Sequence, residues 1–470
     1  MRTIARVTMH RPDAASEALT DAVVRYAVDR VRMMPPPLDH PLSPDELRER
    51  AGRTITPEGL GGLEALRVFG DVLAPACLSV DHPRYLSFVP AAPTEASILF
   101  DLVVGASSIY GGSWLEASGA VYAENEALRW LADLAGFPPA AGGVFVSGGT
   151  AGNLSALLAA RWRWRERAGG RHDRTRGLML TSGGAHSSVA QAARAMDADV
   201  VSVPADPRGK LTRSALDATV ARLDDDERER LFAVIATSGT TNAGVVDDLA
   251  AAADAAADLG VWLHVDGAYG GAGLTASSIR HLYDGIERAD SFIVDPHKWL
   301  FAPYDSCALV YRDPAVARRA HTQHAEYLDV LHTEHEHASQ NAFDWNPSDY
   351  AHHLSRRARG LPFWFSLATY GTEAYGEAVE ATLRTTHAGA ELVRAAEHLE
   401  LVVEPELTIV MFRRLGWTAA DYQRWSDAQL RDGESFVTPS AWGDETVLRW
   451  CIVNPETTPD DLAAIIDSLR

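Results

Sequence analysis

The chain is 470 residues long and 46% hydrophobic, enough to bury a large core divided between two or more structural units. Its formal net charge is -21 and its basic residues are scattered, which argues against nucleic acid as a partner because phosphate-backbone binding needs clustered Lys and Arg. No apolar run reaches membrane-spanning length, and the first stretch of chain mixes Arg, Asp and Glu among Ala and Val; the expectation is a cytoplasmic protein without a membrane partner. Cys77, Cys307 and Cys451 are odd in number and far apart, a pattern that suits buried free thiols rather than a disulfide framework or a zinc site.

A helical rhythm over residues 16 to 34 is broken by Pro35-Pro36-Pro37, and a second helical stretch lies near 58 to 78. Together these predict an N-terminal helical arm over residues 1–80. From about residue 142 short apolar runs alternate with helical segments: 143 to 147, 178 to 182, 200 to 204, 232 to 238, 261 to 266, 292 to 295 and 307 to 311. Their near-continuous Val/Ile/Leu character predicts an α/β fold with a mostly parallel seven-stranded sheet covered on both faces, within a large domain at 81–375. The Ala-rich stretch 249 to 258 reads as a crossover helix. Residues 376–470 alternate strand-like and helical runs and are expected to form a small C-terminal α/β domain.

Ligands of open α/β sheets collect at the carboxyl ends of the strands, so the polar residues there are the candidates. Ser147-Gly148-Gly149-Thr150 follows the first run and precedes a helix, an arrangement that offers backbone N–H groups and a hydroxyl to a phosphate. Asp266 ends the run Val261 to Val265 and could bond a protonated pyridine nitrogen. Lys298 follows Asp295-Pro296-His297 and precedes Trp299-Leu300-Phe301; poor solvation there lowers an amine's pKa and suits Schiff-base chemistry. His186, in Ala185-His186-Ser187-Ser188, could stack on an aromatic ring. The hydroxyl-rich Ser238-Gly239-Thr240-Thr241-Asn242 marks another strand end. Each has a plainer reading when taken alone: a turn, a capping Asp, a surface Lys, a structural His.

In this order, with His264-Val265-Asp266-Gly267-Ala268-Tyr269-Gly270-Gly271 and Asp295-Pro296-His297-Lys298-Trp299, the segments resemble the pyridoxal-dependent group II decarboxylases, the family of aromatic-L-amino-acid decarboxylase. His82-Pro83-Arg84-Tyr85 with Phe88 and Pro90, Ser113-Trp114, Ser355-Arg356-Arg357, Leu448-Arg449 and Asn454-Pro455 extend the likeness from about residue 80 to the C-terminus. The resemblance implies pyridoxal fold type I, a homodimer with a shared active site, pyridoxal 5'-phosphate as cofactor, and decarboxylation of an L-amino acid to its amine. It implies further that Lys298 carries the cofactor, Asp266 pairs with its ring nitrogen, and His186 and Ala268 flank the ring. Gly149 and Thr150 would hold the phosphate with Thr240 and His297 nearby. Phe88 and Pro90 would line the substrate pocket, and Arg449 would meet the substrate carboxylate through its guanidinium fork.

The sequence departs from the family in two places. Family enzymes use a loop tyrosine of the partner subunit to protonate the substrate's Cα; in the matching stretch 341 to 350 the tyrosine is Tyr350, while Trp345 or Phe343 falls nearer the catalytic register. The alternatives are therefore oxygen-dependent oxidative decarboxylation to an aldehyde, or another carbon–carbon lyase or transferase reaction on the same scaffold. Val80 and Phe88-Val89-Pro90-Ala91 also make the pocket wall less aromatic than in aromatic decarboxylases, which suggests an aliphatic or modified aromatic substrate. His332-Thr333-Glu334-His335-Glu336-His337 carries metal-ligand chemistry, but its charge density reads as a solvated loop, and no metal is expected.

Overall fold

Residues 10, 13–169, 171–326, 328 and 345–470 are described by the computed structural model, and the His332 to His337 run and Phe343 lie outside them. The N-terminal arm begins with helix α1 (Ala14–Val31), started by a reciprocal Asp13–Ser16 capping box. A short helix, α2 (Pro44–Ala51), follows Ser43, which is capped reciprocally by Glu46. This helix has no apolar periodicity to announce it; its cap and the proline at its first turn hold it. Helix α3 (Gly62–Val68) runs on as a wider turn and a tighter one to Ala76. Helices α4 (Glu95–Ser107) and α5 (Trp114–Leu134) lead into the large sheet.

The sheet is built from β1 (Gly142–Val146), β2 (Leu178–Ser182), β3 (Asp199–Val203), β4 (Leu231–Thr237), β5 (Trp262–Asp266), β6 (Ser291–Val294) and β7 (Cys307–Tyr311), in the order β1-β7-β6-β5-β4-β2-β3. The seven expected apolar runs recur, two with the same boundaries and five with boundaries moved by one residue. Only β7 runs against the others, so the carboxyl ends of the remaining six share one edge. The connections carry α6 (Gly149–Arg167), α7 (Ser187–Met196), α8 (Arg213–Val220), α9 (Asp225–Arg230), α10 (Leu249–Leu259) and, after β7, α11 (Pro314–His321). Apolar side chains from both faces of the sheet enter two separate cores, one toward α6, α7 and α11 and the other toward α5 and α10. Covered faces of this kind are why the strands read as unbroken apolar runs.

Helices α12 (Leu361–Tyr370) and α13 (Thr372–Ala395) lead to a four-stranded antiparallel sheet, β8 (Leu399–Val403), β9 (Ile409–Arg414), β10 (Pro439–Trp442) and β11 (Glu445–Cys451), ordered β10-β11-β9-β8 and backed by α14 (Ala419–Arg431) and α15 (Pro459–Ser468). The stretch after the arm is stitched to this C-terminal unit: Phe436 N–H donates to Arg84 O at 2.9 Å, Leu86 N–H to Phe436 O at 3.0 Å and Cys451 N–H to Leu86 O at 2.8 Å. A buried ion pair, Arg356 with Glu124 at 2.7 Å, fixes the segment before α12 against α5. Arg356 also donates to Gly111 O, and Glu124 accepts from Gly360 N–H, so neither charge is left uncompensated. Among the described residues, no helix is long and apolar enough to cross a membrane.

Candidate active site

A cavity of about 330 Å³ opens at the shared carboxyl edge of the sheet, lined from β1 and α6 by Gly149, Thr150 and Asn153, from β5 by Asp266 and Ala268, and from the turn after β6 by Asp295, His297 and Lys298. His186, Ser188 and Thr241 complete one side, and Tyr304 and Asp305 the rim. The structure thus brings together Gly149, Thr150, His186, Asp266, Ala268, His297 and Lys298 as the sequence led one to expect. Gly149 has a specific reason to be glycine: a Cβ there would lie 3.0 Å from the Ala268 Cβ and 3.2 Å from Asp295 Oδ2. The α6 N-terminus has no side-chain cap, so its first N–H groups are available to an anion.

Asp266 is 4% exposed and is held from behind by a chain of donors. Asn153 Nδ2 donates to Asp266 Oδ2 at 2.8 Å, and Ala268 N–H to Oδ1 at 3.1 Å. Asn153 Oδ1 in turn lies 2.8 Å from His264 Nε2, whose Nδ1 is 2.8 Å from Ser291 Oγ, which accepts from Trp262 Nε1 at 2.8 Å. An amide oxygen can only accept, so Nε2 carries the proton. Burial pushes the His264 pKa down to about 4, so the ring is neutral and Nδ1 is left as the acceptor. The other Asn153 Nδ2 proton goes to Ser188 Oγ at 2.8 Å, and Ser188 Oγ and N–H meet His186 Nδ1 at 2.9 and 3.2 Å. This makes His186 Nδ1 an acceptor and assigns the ring proton to Nε2.

Lys298 departs from the sequence argument. Burial alone pushes its ammonium down, but Asp295, with Asp266 and Cys307 behind it, outweighs burial, and its pKa lies above that of an ordinary lysine. The cause is Asp295 Oδ2, 2.9 Å from Lys298 Nζ. Burial works against the Asp295 carboxylate too, yet Lys298 and His297 hold its pKa below the usual range. His297 is pushed down by burial, and its Nδ1 lies 2.6 Å from Ser306 O and 3.0 Å from Ser306 N.

The other expected site residues do not line this cavity. Thr240 Oγ1 turns inward to accept from Val245 N–H at 3.2 Å; its neighbour Thr241 lines the cavity instead. Arg449 spends its guanidinium on the carbonyls of Asn242 and Thr241, at 3.1 and 2.8 Å, and so clamps β11 to the turn that carries Thr241 rather than lining the cavity. Phe88 is 60% exposed and lies against Phe436 at 6.0 Å, and Pro90 is buried; neither lines the cavity. Tyr350 is 5% exposed, packed in the core toward α6 and α11, with Tyr311 Oη donating to its carbonyl at 3.1 Å. Trp345 lies beside it, tilted by 56° with ring centres 5.6 Å apart, and donates to Gly143 O at 2.9 Å, so this pair packs within its own subunit.

Asn153, His264, Asp295 and Tyr304 were missed as site residues. Two of them had a readable signal: His264 shares a strand face with Asp266 two residues on, and Asp295 stands one turn before Lys298. Among the described residues no group of three or more His, Cys, Asp or Glu side chains could hold a metal.

Residues 63–415 match the family model described as the pyridoxal-dependent decarboxylase conserved domain. The chain belongs to the pyridoxal-dependent decarboxylase family. It is 31% identical over 423 residues to L-2,4-diaminobutyrate decarboxylase of Rhizobium meliloti, covering 87% of this chain and 82% of the relative. It is 28% identical over 444 residues to aromatic-L-amino-acid decarboxylase of Bacillus atrophaeus, covering 92% and 90%. Its fold matches that of Oryza sativa TDC, solved with PLP and tryptamine, at a TM-score of 0.89 and 24% identity over 98% of both chains. Rhodiola rosea 4-hydroxyphenylacetaldehyde synthase shares the fold at a TM-score of 0.83 and 21% identity, with 97% and 96% covered. This family member is thus an amino-acid decarboxylase that uses pyridoxal 5'-phosphate.

The cavity fits that cofactor. Thr237 Oγ1, buried at its wall, has no hydrogen-bond partner, and Asp295 Oδ1 meets no nitrogen or oxygen donor. Asp266 offers a desolvated carboxylate where a protonated ring nitrogen would be favoured, and the uncapped α6 N-terminus suits the phosphate. Replacing Asn153 by Leu removes the donor to Asp266 and strands His264 Nε2, two buried polar groups at about 1–3 kcal/mol each. The N153L variant is expected to release pyridoxal phosphate on dialysis at least tenfold faster than wild type, measured by loss of visible absorbance; unchanged retention would show that the chain of donors does not hold Asp266 in place.

Proposed function

We propose that the enzyme converts an L-amino acid to its amine with the cofactor carried on Lys298, and that it works as a homodimer. The observation that carries this reading is the convergence of Lys298, Asp266 and His186 in one cavity, each on a different strand end. Bound there, the cofactor supplies an electron sink for the bond to the departing carboxylate. Asp266 keeps a positive charge on the ring nitrogen by presenting a desolvated carboxylate that the Asn153 amide orients. His186 faces the ring with its Nε2–H free for a substrate carboxylate, because Nδ1 is committed to Ser188. Ala268 closes the opposite side, and Gly149 and Thr150 take the phosphate. The relatives named L-2,4-diaminobutyrate and aromatic-L-amino-acid decarboxylases favour an aliphatic or modified aromatic amino acid.

The proton that replaces the carboxylate needs a donor. Tyr304 is a phenol at the cavity rim, 51% exposed, its ring 4.8 Å from that of His297. Burial raises its pKa, so its oxygen keeps the proton at neutral pH and can present it at Cα. This favours the amine over the aldehyde branch. The aldehyde reading keeps one observation in its favour, the burial of Tyr350 and Trp345 away from the cavity.

The dimer reading is supported by apolar surface left uncovered among the described residues. Helix α1 has no buried residue, and Val23, Val24, Leu102, Val103 and Tyr370 are all more than two-fifths exposed. Such patches on soluble proteins mark interfaces. Sedimentation is expected to show a two-chain species at micromolar concentration; a monomer with full activity would exclude a shared site.

Purified enzyme should be yellow, and Lys298→Ala should lose the colour that borohydride fixes covalently in wild type. Mass spectrometry over a panel of aromatic, aliphatic and dibasic amino acids, with peroxide followed in parallel, is expected to find amine without peroxide. Peroxide in proportion to product would select the aldehyde branch. Tyr304→Phe is expected to lower amine formation about a hundredfold, the scale of a lost general acid, and to raise the peroxide yield. Unchanged rates and products would remove Tyr304 as the donor.

A further inference from the structure

The group that this mechanism leaves without a task is Asp295, a carboxylate 1% exposed in the wall of the cavity. Its place is set by the chain: Asp295 N–H donates to Ala268 O at 3.0 Å, and Lys298 N–H donates to Asp295 O at 3.0 Å, closing one tight turn. The turn puts both side chains on the same side, with Oδ2 2.9 Å from Lys298 Nζ and 3.7 Å from His297 Nε2. Oδ1 meets no nitrogen or oxygen donor, and the neighbouring Cys307 thiol faces the carboxylate.

Each other group around the lysine nitrogen is either neutral or already committed. Burial pushes the thiols of Cys307 on β7 and Cys451 on β11 up, the latter to about 11, and pushes His297 down. The Tyr304 phenol is likewise raised. Arg449 from the small sheet is tied to the 241–242 turn. Asp305 at the rim is bound by Arg359, and Asp266 on β5 is bound by Asn153 and by the Ala268 N–H and, on the function proposed above, pairs with the ring nitrogen. One carboxylate is left to balance the charge on the lysine.

We propose that Asp295 is the counter-ion of Lys298: it holds the proton on the lysine nitrogen, in the free ammonium and in the nitrogen once joined to the cofactor, and thereby sets the pH at which that proton is lost. The sign follows from charge. A nearby carboxylate favours the protonated nitrogen, so the proton is kept as pH rises until a higher midpoint, and removing the carboxylate moves the loss to lower pH. Asp295 is a positioning residue here, acting through Lys298.

This inference rests on Lys298 as the cofactor's attachment point, and Lys298→Ala separates the two: cofactor that borohydride still fixes covalently to K298A would sink the attachment itself. The direct test is the visible absorbance of the holoenzyme, titrated from about pH 6 to about pH 10 for wild type, Asp295→Asn and Asp295→Glu. D295N is expected to lose the protonated band at least one pH unit below wild type, a tenfold change in the proton's binding. D295E is expected to restore the wild-type midpoint, because it keeps the charge that the Asn removes. Equal midpoints for wild type and D295N overturn the proposal, as does D295E behaving like D295N. Tighter cofactor retention in D295N with an unmoved midpoint would instead assign the carboxylate to the phosphate and also overturn it. If D295N yields no coloured protein, the wild-type titration alone decides: a band stable to above about pH 8 supports the counter-ion, and a midpoint below it excludes one.

Discussion

Two buried carboxylates and one partly buried ammonium sit at the edge of the large sheet, and the cost of burying them organises the site. A buried charge is tolerated only when it is paired or richly hydrogen-bonded. Asp266 meets this demand with an amide and a backbone N–H, and Asp295 meets it with Lys298. Counting formal charges, the two carboxylates exceed the lysine by one. A cofactor ring with a protonated nitrogen supplies the missing positive charge, so the pocket's own electrostatics favour the protonated ring that decarboxylation needs.

The Asn153 amide is where this arrangement becomes rigid. Its oxygen accepts from a neutral histidine and its two N–H groups serve Asp266 and Ser188, so one side chain orients Asp266 and, through Ser188, His186 together. That coupling depends on fold geometry: α6 must leave β1 so that its first turn carries the cradle at Gly149 and its second reaches across to β5. The two small side chains at Gly149 and Ala268 are the consequence, since their Cβ positions come within 3.0 Å. Helix, strand and loop are thus fitted to one another around the ligand rather than around a packed core.

Much of this was legible in the sequence, for physical reasons. Strands buried on both faces are unbroken apolar runs, and a ligand at their carboxyl ends leaves polar residues at predictable places, which is why Asp266, His186 and Lys298 stood out. What was hidden depends on contacts distant in sequence or on turn geometry. The sign of the Lys298 shift follows from Asp295, whose side chain direction only the turn fixes. Thr240 and Thr241 differ by one position in a tight turn, and nothing local tells which hydroxyl faces out. Arg449 carries a guanidinium suited to a carboxylate, yet two backbone carbonyls from another part of the chain claim it first. Helix α2 lacked an apolar stripe and is held by capping alone.

The burial of Tyr350 and Trp345 bears on the chemistry as well as on the fold. Trp345 is bonded to the β1 backbone, Tyr350 is packed toward α6 and α11, and a few residues on Arg356 is locked to Glu124. A segment anchored at three points cannot lend an aromatic side chain to a second active site without breaking its own core, at a cost of several kcal/mol for the ion pair alone. Residues 345–360 are therefore anchored within their own chain. The choice between amine and aldehyde then falls to groups that reach the cavity from elsewhere, and the phenol of Tyr304, set beside His297 at the rim, stands where a proton could be delivered.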